Sequence, residues 1–247
     1  MSELKDVLQD LLLRGRFSDM EILCQGITFR VHKAIVCTQS SYFYSAMCDG
    51  FKESIDRAIN IEDDTPETME RVLSFLYLRD YNEDGHILQY HQPISTLAIC
   101  DHDSSSSLSE NKPEISEPAN RVAFNNIEVF IAADKYAILP LKALATLKLS
   151  QWADKNWCSP MFNEVVQKVM TSVPQHELSL REVIADIISR HVFDLIQDPE
   201  IVRTLDSFGC LGSLVIMKLI SNEMVKRPHD NYVLPLGTRI SSSRRHR

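Results

Sequence analysis

The chain lacks the features that announce a disulfide scaffold, a membrane protein or a familiar enzyme. Its six cysteines, at 24, 37, 48, 100, 158 and 210, include no Cys-x-x-Cys pair, so no disulfide framework is expected. No uninterrupted apolar run approaches the roughly 20 residues that cross a bilayer; Leu211 to Ile220 is already broken by Gly212, Ser213 and Lys218. A membrane partner is not expected. The start, MSELKDVLQD, has no basic region followed by an apolar run, and the expected address is intracellular, nucleus or cytoplasm.

Positive charge is also in short supply. The 26 Lys and Arg against 34 Asp and Glu leave a net charge of -8 and a pI near 5.5, poor footing for coating a nucleic-acid backbone. The end, Ser241 to Arg247, holds arginines at 244, 245 and 247 without interleaved aromatics and reads as a disordered basic tail rather than a nucleic-acid site. The phosphate-cradling patterns G-x-G-x-x-G and G-x-x-x-x-G-K-[ST] are missing, as are G-x-S-x-G and H-E-x-x-H. Cys24, Cys37 and Cys48 lie close in sequence to His32 but without zinc-ligand spacing, and read as small core fillers. No catalytic residue, cofactor or metal is expected; an unrecognised active site is the remaining enzyme reading.

What is present is a hydrophobic content of 44% with 24% charged residues, enough to fill a core. Leu4, Val7, Leu8, Leu11 and Leu12 trace one stripe of a helix that Gly15 stops. Met20 to Cys24 and Ile27 to Val31 read as strands joined by Gln25-Gly26, a two-residue hairpin in which Gly26 supplies positive φ. Lys33 to Asp49 predicts one or two helices, and Ala58 to Ile61 a further strand. Asp64 or Thr65 caps the next helix, Pro66 fits its first turn, and Met69, Val72, Leu73, Leu76 and Tyr77 form its buried face up to about Tyr81.

Asn82 to Asn120 differs in kind. Residues 80 to 117 hold 8 acidic side chains and 1 basic one, with the tetraserine Ser104 to Ser107, so a flexible acidic insertion is expected. A partial strand or a transient docking segment is the reading for His91 to Cys100. Helical periodicity resumes near Arg121, breaks near Pro140 and runs through Leu141, Leu144, Ala145 and Leu147, closing a first domain near Ser150. Helices are predicted over Pro160 to Met170, Ser179 to Ile196 and Gly209 to Met224, the middle one opened by a Ser179/Glu182 capping box and limited by Pro199.

Four ordered pieces resemble the BTB/POZ family: Phe17-Ser18-Asp19 before a strand, Phe29-x-Val31-His32-Lys33, Ser40-Ser41-x-Phe43-x-x-x-Met47, and Ala133-Asp134-Lys135-Tyr136. The resemblance implies an α/β fold in which a small mixed sheet packs against helical hairpins, followed here by a helical extension. It implies protein assembly, homotypic or heterotypic, rather than covalent chemistry. Residues 1–150 form the BTB/POZ-like domain, interrupted by the insertion at 82–120; residues 151–240 form a helical region and 241–247 the tail. Asp19, His32, Lys33, Phe43, Met47, Asp134 and Tyr136 are then structural motif residues, with Asp19 expected to pair with Lys33 or His32 across the hairpin.

Two surfaces carry functional readings. Phe51-Lys52-Glu53 resembles the cullin-contact motif of some BTB adaptors, with Phe51 as a plug and Glu53 as its polar edge; the competing reading returns Phe51 to its own core. Leu4, Val7, Leu8, Leu11 and Leu12 form a candidate homodimer interface, because the family often pairs its first helices; the competing reading packs them intramolecularly. The partners implied are proteins, including a second copy and a cullin-type ubiquitin-ligase scaffold. A transcriptional or other scaffold factor without cullin binding is the alternative.

Overall fold

The computed structural model describes residues 3–48, 51–85 and 118–226. Most of the insertion, with His86, the 91–100 strand reading, His102 and the tetraserine, lies outside the described residues, as does the 241–247 tail.

Helix α1 (Leu4–Arg14) ends where Gly15 turns left-handed at φ 57° and returns its amide to the Leu11 carbonyl. Strands β1 (Met20–Cys24) and β2 (Ile27–Val31) form an antiparallel hairpin, with Met20 opposite Val31 and Cys24 opposite Ile27. The tight turn that matches the strands' twist requires positive φ at both central residues. Gly26 meets that demand at 84°, and Gln25 meets it too, at 46°.

Helices α2 (Lys33–Val36), α3 (Ser41–Ala46) and α4 (Lys52–Asp56) lead to β3 (Ala58–Ile61). A parallel partner strand needs such a crossover. β3 accordingly lies parallel to β1 on the side away from β2, giving a mixed sheet of order β2-β1-β3.

Helix α5 (Pro66–Leu78) starts at Thr65, whose hydroxyl accepts the Thr68 amide at 3.2 Å. It is buried on every side from Thr68 to Tyr77, because α1, α2 and α6 all pack on it. It stops short of the expected Tyr81, since Arg79 adopts φ 63° and closes the last turn onto Phe75.

Helix α6 (Pro118–Lys135) begins ahead of Arg121 and pairs with α7 (Leu139–Asn156). The start of the expected insertion is anchored: Arg71 Nε donates to the Asn82 carbonyl at 3.0 Å, and Asn126 Nδ2 donates to Glu83 Oε1 at 2.6 Å. Tyr81 also donates to Asn126 Oδ1 at 2.7 Å, so residues 81–83 belong to the packed body.

Beyond lie α8 (Met161–Ser172), α9 (Ser179–Arg190), α10 (Val192–Leu195), α11 (Pro199–Ser207) and α12 (Gly209–Lys226). Helix α7 runs straight through Ser150, and α6 packs on α8 while α7 packs on α9. One apolar core therefore extends from Leu12 to Val215. The Ser179/Glu182 capping box does not form. Leu178 is the cap residue, its carbonyl taking the Glu182 amide at 2.7 Å, and Ser179 already lies inside the helix. The helix expected to reach Ile196 breaks at His191, whose ring stacks on Trp157 at 3.9 Å. Pro199 also opens α11 behind the cap Asp198, as well as ending the preceding run. Among the described residues no single helix is long and apolar enough to cross a membrane.

Candidate protein-interaction surfaces

The motif residues build the frame that presents both candidate surfaces. Tyr77 is buried in α5, and its hydroxyl receives the His32 amide at 2.9 Å and meets His32 Nδ1 at 2.7 Å. His32 Nε2 lies 2.6 Å from the Arg16 carbonyl. A neutral imidazole protonated at Nε2 satisfies all three contacts: Tyr77 donates to Nδ1, and Nε2 donates to Arg16. Burial pushes the Tyr77 hydroxyl up to about 12, against the lowering bond from the His32 amide. His32 thus ties the loop after α1, through Nε2, to helix α5, through Nδ1.

Asp19 does not form the expected ion pair. Its Oδ1 instead accepts the Lys33 backbone amide at 2.8 Å, satisfying a donor at the start of α2 that has no partner within that helix. With Asp19 and His32 engaged in this way, the three residues form a structural junction. Across the domain, Phe43 is fully buried and stacks on Tyr136 at 4.9 Å, while Met47 closes the same core. Ser40 Oγ donates to the Tyr136 carbonyl at 2.7 Å. The Tyr136 hydroxyl donates to Asp64, which also takes Lys135 at 3.0 Å. The Cys24 thiol donates to the Asp64 carbonyl at 3.1 Å and is pushed up to about 11, first by burial and then by Asp64 and Glu67. Asp134 pairs with Lys142 at 2.6 Å, and Lys142 also meets Glu177 in the turn between α8 and α9. Among the described residues no group of three or more His, Cys, Asp or Glu is placed to hold a metal ion.

On this frame the leucine stripe of α1 divides. Leu12 is buried and Leu11 packs beside it, Leu8 is partly covered, and Leu4 and Val7 stay exposed. Its end nearest Gly15 therefore belongs to the chain's own core, as the intramolecular reading requires, while the first turns remain open. The loop that follows adds what the sequence did not announce: Phe17 is 89% exposed, with φ 61°. Bulky residues seldom adopt that conformation. Here the bond from His32 to the Arg16 carbonyl and the Ser18 amide's return to Gly15 at 3.3 Å hold the turn.

The second surface lies at the start of α4. Phe51 precedes α4 and is 58% exposed, so it does not return to its own core. Glu53 sits half-buried in the first turn, where a carboxylate suits the positive end of a helix. Ser54 Oγ and the Ser54 amide both bond the Phe51 carbonyl, at 3.0 and 3.2 Å, and fix the backbone from which Phe51 projects. Ile55, four residues on, is also exposed, as are Tyr42 and Tyr44 on α3. The exposure of Tyr42 and Tyr44 carried no sequence signal, because they flank the fully buried Phe43 within one short helix.

Residues 8–99 match the sequence pattern of the BTB/POZ domain. The chain carries a BTB/POZ domain. Its mixed sheet packed on helices, with further helices following, is the α/β fold expected of one, and such domains are characteristically non-catalytic interaction modules. Kelch-like protein 40 of Xenopus laevis is 31% identical over 74 residues, which cover 30% of this chain and 12% of that protein. TD and POZ domain-containing protein 1-like of Mus musculus is 34% identical over 74 residues, 30% of this chain and 20% of that protein. Kelch-like protein 25 of Homo sapiens is 30% identical over 86 residues, 30% of this chain and 15% of that protein. The similarity thus spans at most a fifth of these curated relatives.

Proposed function

We propose that this chain is an assembly adaptor that self-associates through α1 and engages a cullin-type ubiquitin-ligase scaffold through Phe51 and Glu53. The single observation that carries the scaffold reading is Phe51, 58% exposed on a hydrogen-bonded backbone with Glu53 two residues on. An exposed aromatic beside a carboxylate has the composition of an interface hot spot, with a plug for a partner pocket and a polar edge that fixes orientation. For self-association, Leu4, Val7 and Phe17 leave apolar surface in water next to a helix already anchored by Leu12. Covering that surface with a second copy removes it from solvent without disturbing the core.

Calorimetric titration of the full chain with a cullin N-terminal domain tests the scaffold reading. Micromolar binding that falls by about thirtyfold in Phe51→Ala is expected, corresponding to a hot-spot loss of about 2 kcal/mol. The thermal midpoint should be unchanged, since Phe51 contributes little to the core. No heat at micromolar concentration overturns this reading and leaves a scaffold factor without cullin binding. Light scattering over a dilution series tests the dimer; a monomer mass throughout removes it.

A further inference from the structure

The C-terminal helices border a half-open pocket of about 470 Å³ between the α7–α8 turn and the α10–α11 segment. Its apolar lining comes from Phe162, Leu195 and Ile201, all buried, and from Trp157. The Trp157 ring is held in place by His191, stacked at 3.9 Å with an interplanar angle of 9°. Asp194 and Asp198, both exposed, join Cys158, Ser159, Pro160 and Asn163 in the rest of the lining, which holds no lysine, arginine or histidine.

Among the described residues neither carboxylate has a counter-charge. Asp194 makes no ion pair and no side-chain hydrogen bond among the described residues, and Asp198 spends one oxygen on the Glu200 amide at 2.9 Å. A carboxylate pair beside an apolar, aromatic-walled hollow asks for a ligand with a cationic head and an apolar stem. We propose that this cavity is a recognition pocket for an arginine side chain presented by a partner polypeptide. Its methylene stem lies on Phe162, Leu195 and Ile201, and its planar fork reaches Asp194 and Asp198 beside Trp157. A guanidinium suits this better than an ammonium, because it binds carboxylates bidentately and stacks on indoles. The volume falls in the ordinary range for small-ligand pockets, roughly 300–1,000 Å³. The inference rests on the assembly reading only in making the partner a polypeptide.

The test is an NMR titration of the full chain with acetyl-Gly-Arg-Gly-amide, following the two tryptophan indole N–H signals. Trp157 lines the cavity, whereas Trp152 is buried in α7 and serves as the internal reference. The expected result is a saturable shift of Trp157 alone, with the matching Gln peptide binding about tenfold more weakly. The double variant Asp194→Asn, Asp198→Asn should weaken the Arg peptide by about tenfold while keeping the α11 cap, since Asn caps helices as well as Asp. Equal binding of the Gln peptide, undiminished binding by the double variant, or no Trp157 shift overturns the proposal. A Trp157 shift produced by deleting residues 241–247, with no peptide added, assigns the pocket to the chain's own arginines and also overturns it. Cullin titration reads a different surface, so its failure leaves this outcome standing.

Discussion

Tyr136→Phe removes a single oxygen from a point where distant parts of the chain meet. The ring's stacking on Phe43 and the carbonyl's bond from Ser40 survive the change; only the hydroxyl's bond to Asp64 is lost. A hydrogen bond to a charged group contributes about 1.5–3 kcal/mol. Asp64 keeps Lys135 at 3.0 Å, so the lower end applies, about 1.5 kcal/mol. For a chain of this size that lowers the thermal midpoint by about 3–6 °C.

The alkaline limb gives a second reading with a definite sign. The Tyr136 hydroxyl is held above its ordinary value by burial first, then by its bond to Asp64 and that residue's charge. The unfolded phenol ionises near pH 10 while the folded one stays protonated, so above about pH 10 the folded state binds more protons. Stability therefore falls as pH rises, by about 1.4 kcal/mol per unit for each such tyrosine. Tyr77 and Tyr81, also raised chiefly by burial, add to the same trend. Tyr136→Phe should be less stable at neutral pH, yet its stability should fall less steeply above about pH 10, by one proton. Calorimetry at neutral pH and urea unfolding across the alkaline range measure both. An unchanged midpoint, or an alkaline slope equal to that of the unaltered chain, refutes the network as described.

Gly15→Ala places a Cβ 2.8 Å from the Arg30 Cβ at φ 57°, and should cost about 1–2 kcal/mol, read as a lower urea midpoint at constant slope. Arg181 is buried and donates to the Met170 and Val173 carbonyls at the end of α8, at 3.2 and 2.6 Å. Arg181→Ala should cost about 2–4 kcal/mol by leaving those carbonyls unpaired and a void behind, and Arg181→Lys should restore less than half, lacking the planar guanidinium whose Nη2 reaches both. Thermal unfolding of the two variants checks this.

Local elements were legible in the sequence because local chemistry makes them. The α1 stop at Gly15, the strand limits around Gln25-Gly26, and the Thr65-Pro66 start of α5 depend on neighbours a few residues apart. The leucine periodicity of α1 was legible too, yet only packing on α5 and β2 decided that Leu12 goes inward while Leu4 and Val7 stay out. Likewise Phe51-Lys52-Glu53 was visible as a pattern, and tertiary structure placed its aromatic in solvent.

The remaining features join residues far apart along the chain. Asp19 turned to the Lys33 amide because the hairpin brings the start of α2 beside it. The run from Ser179 breaks at His191, whose ring stacks on the distant Trp157, and the pocket beside them needs both segments at once. The bond from Tyr136 to Asp64 spans 72 positions. Periodicity and capping are set by bonds within one or two turns, whereas the choice among distant partners is made only when the chain closes on itself and each buried polar group must find one.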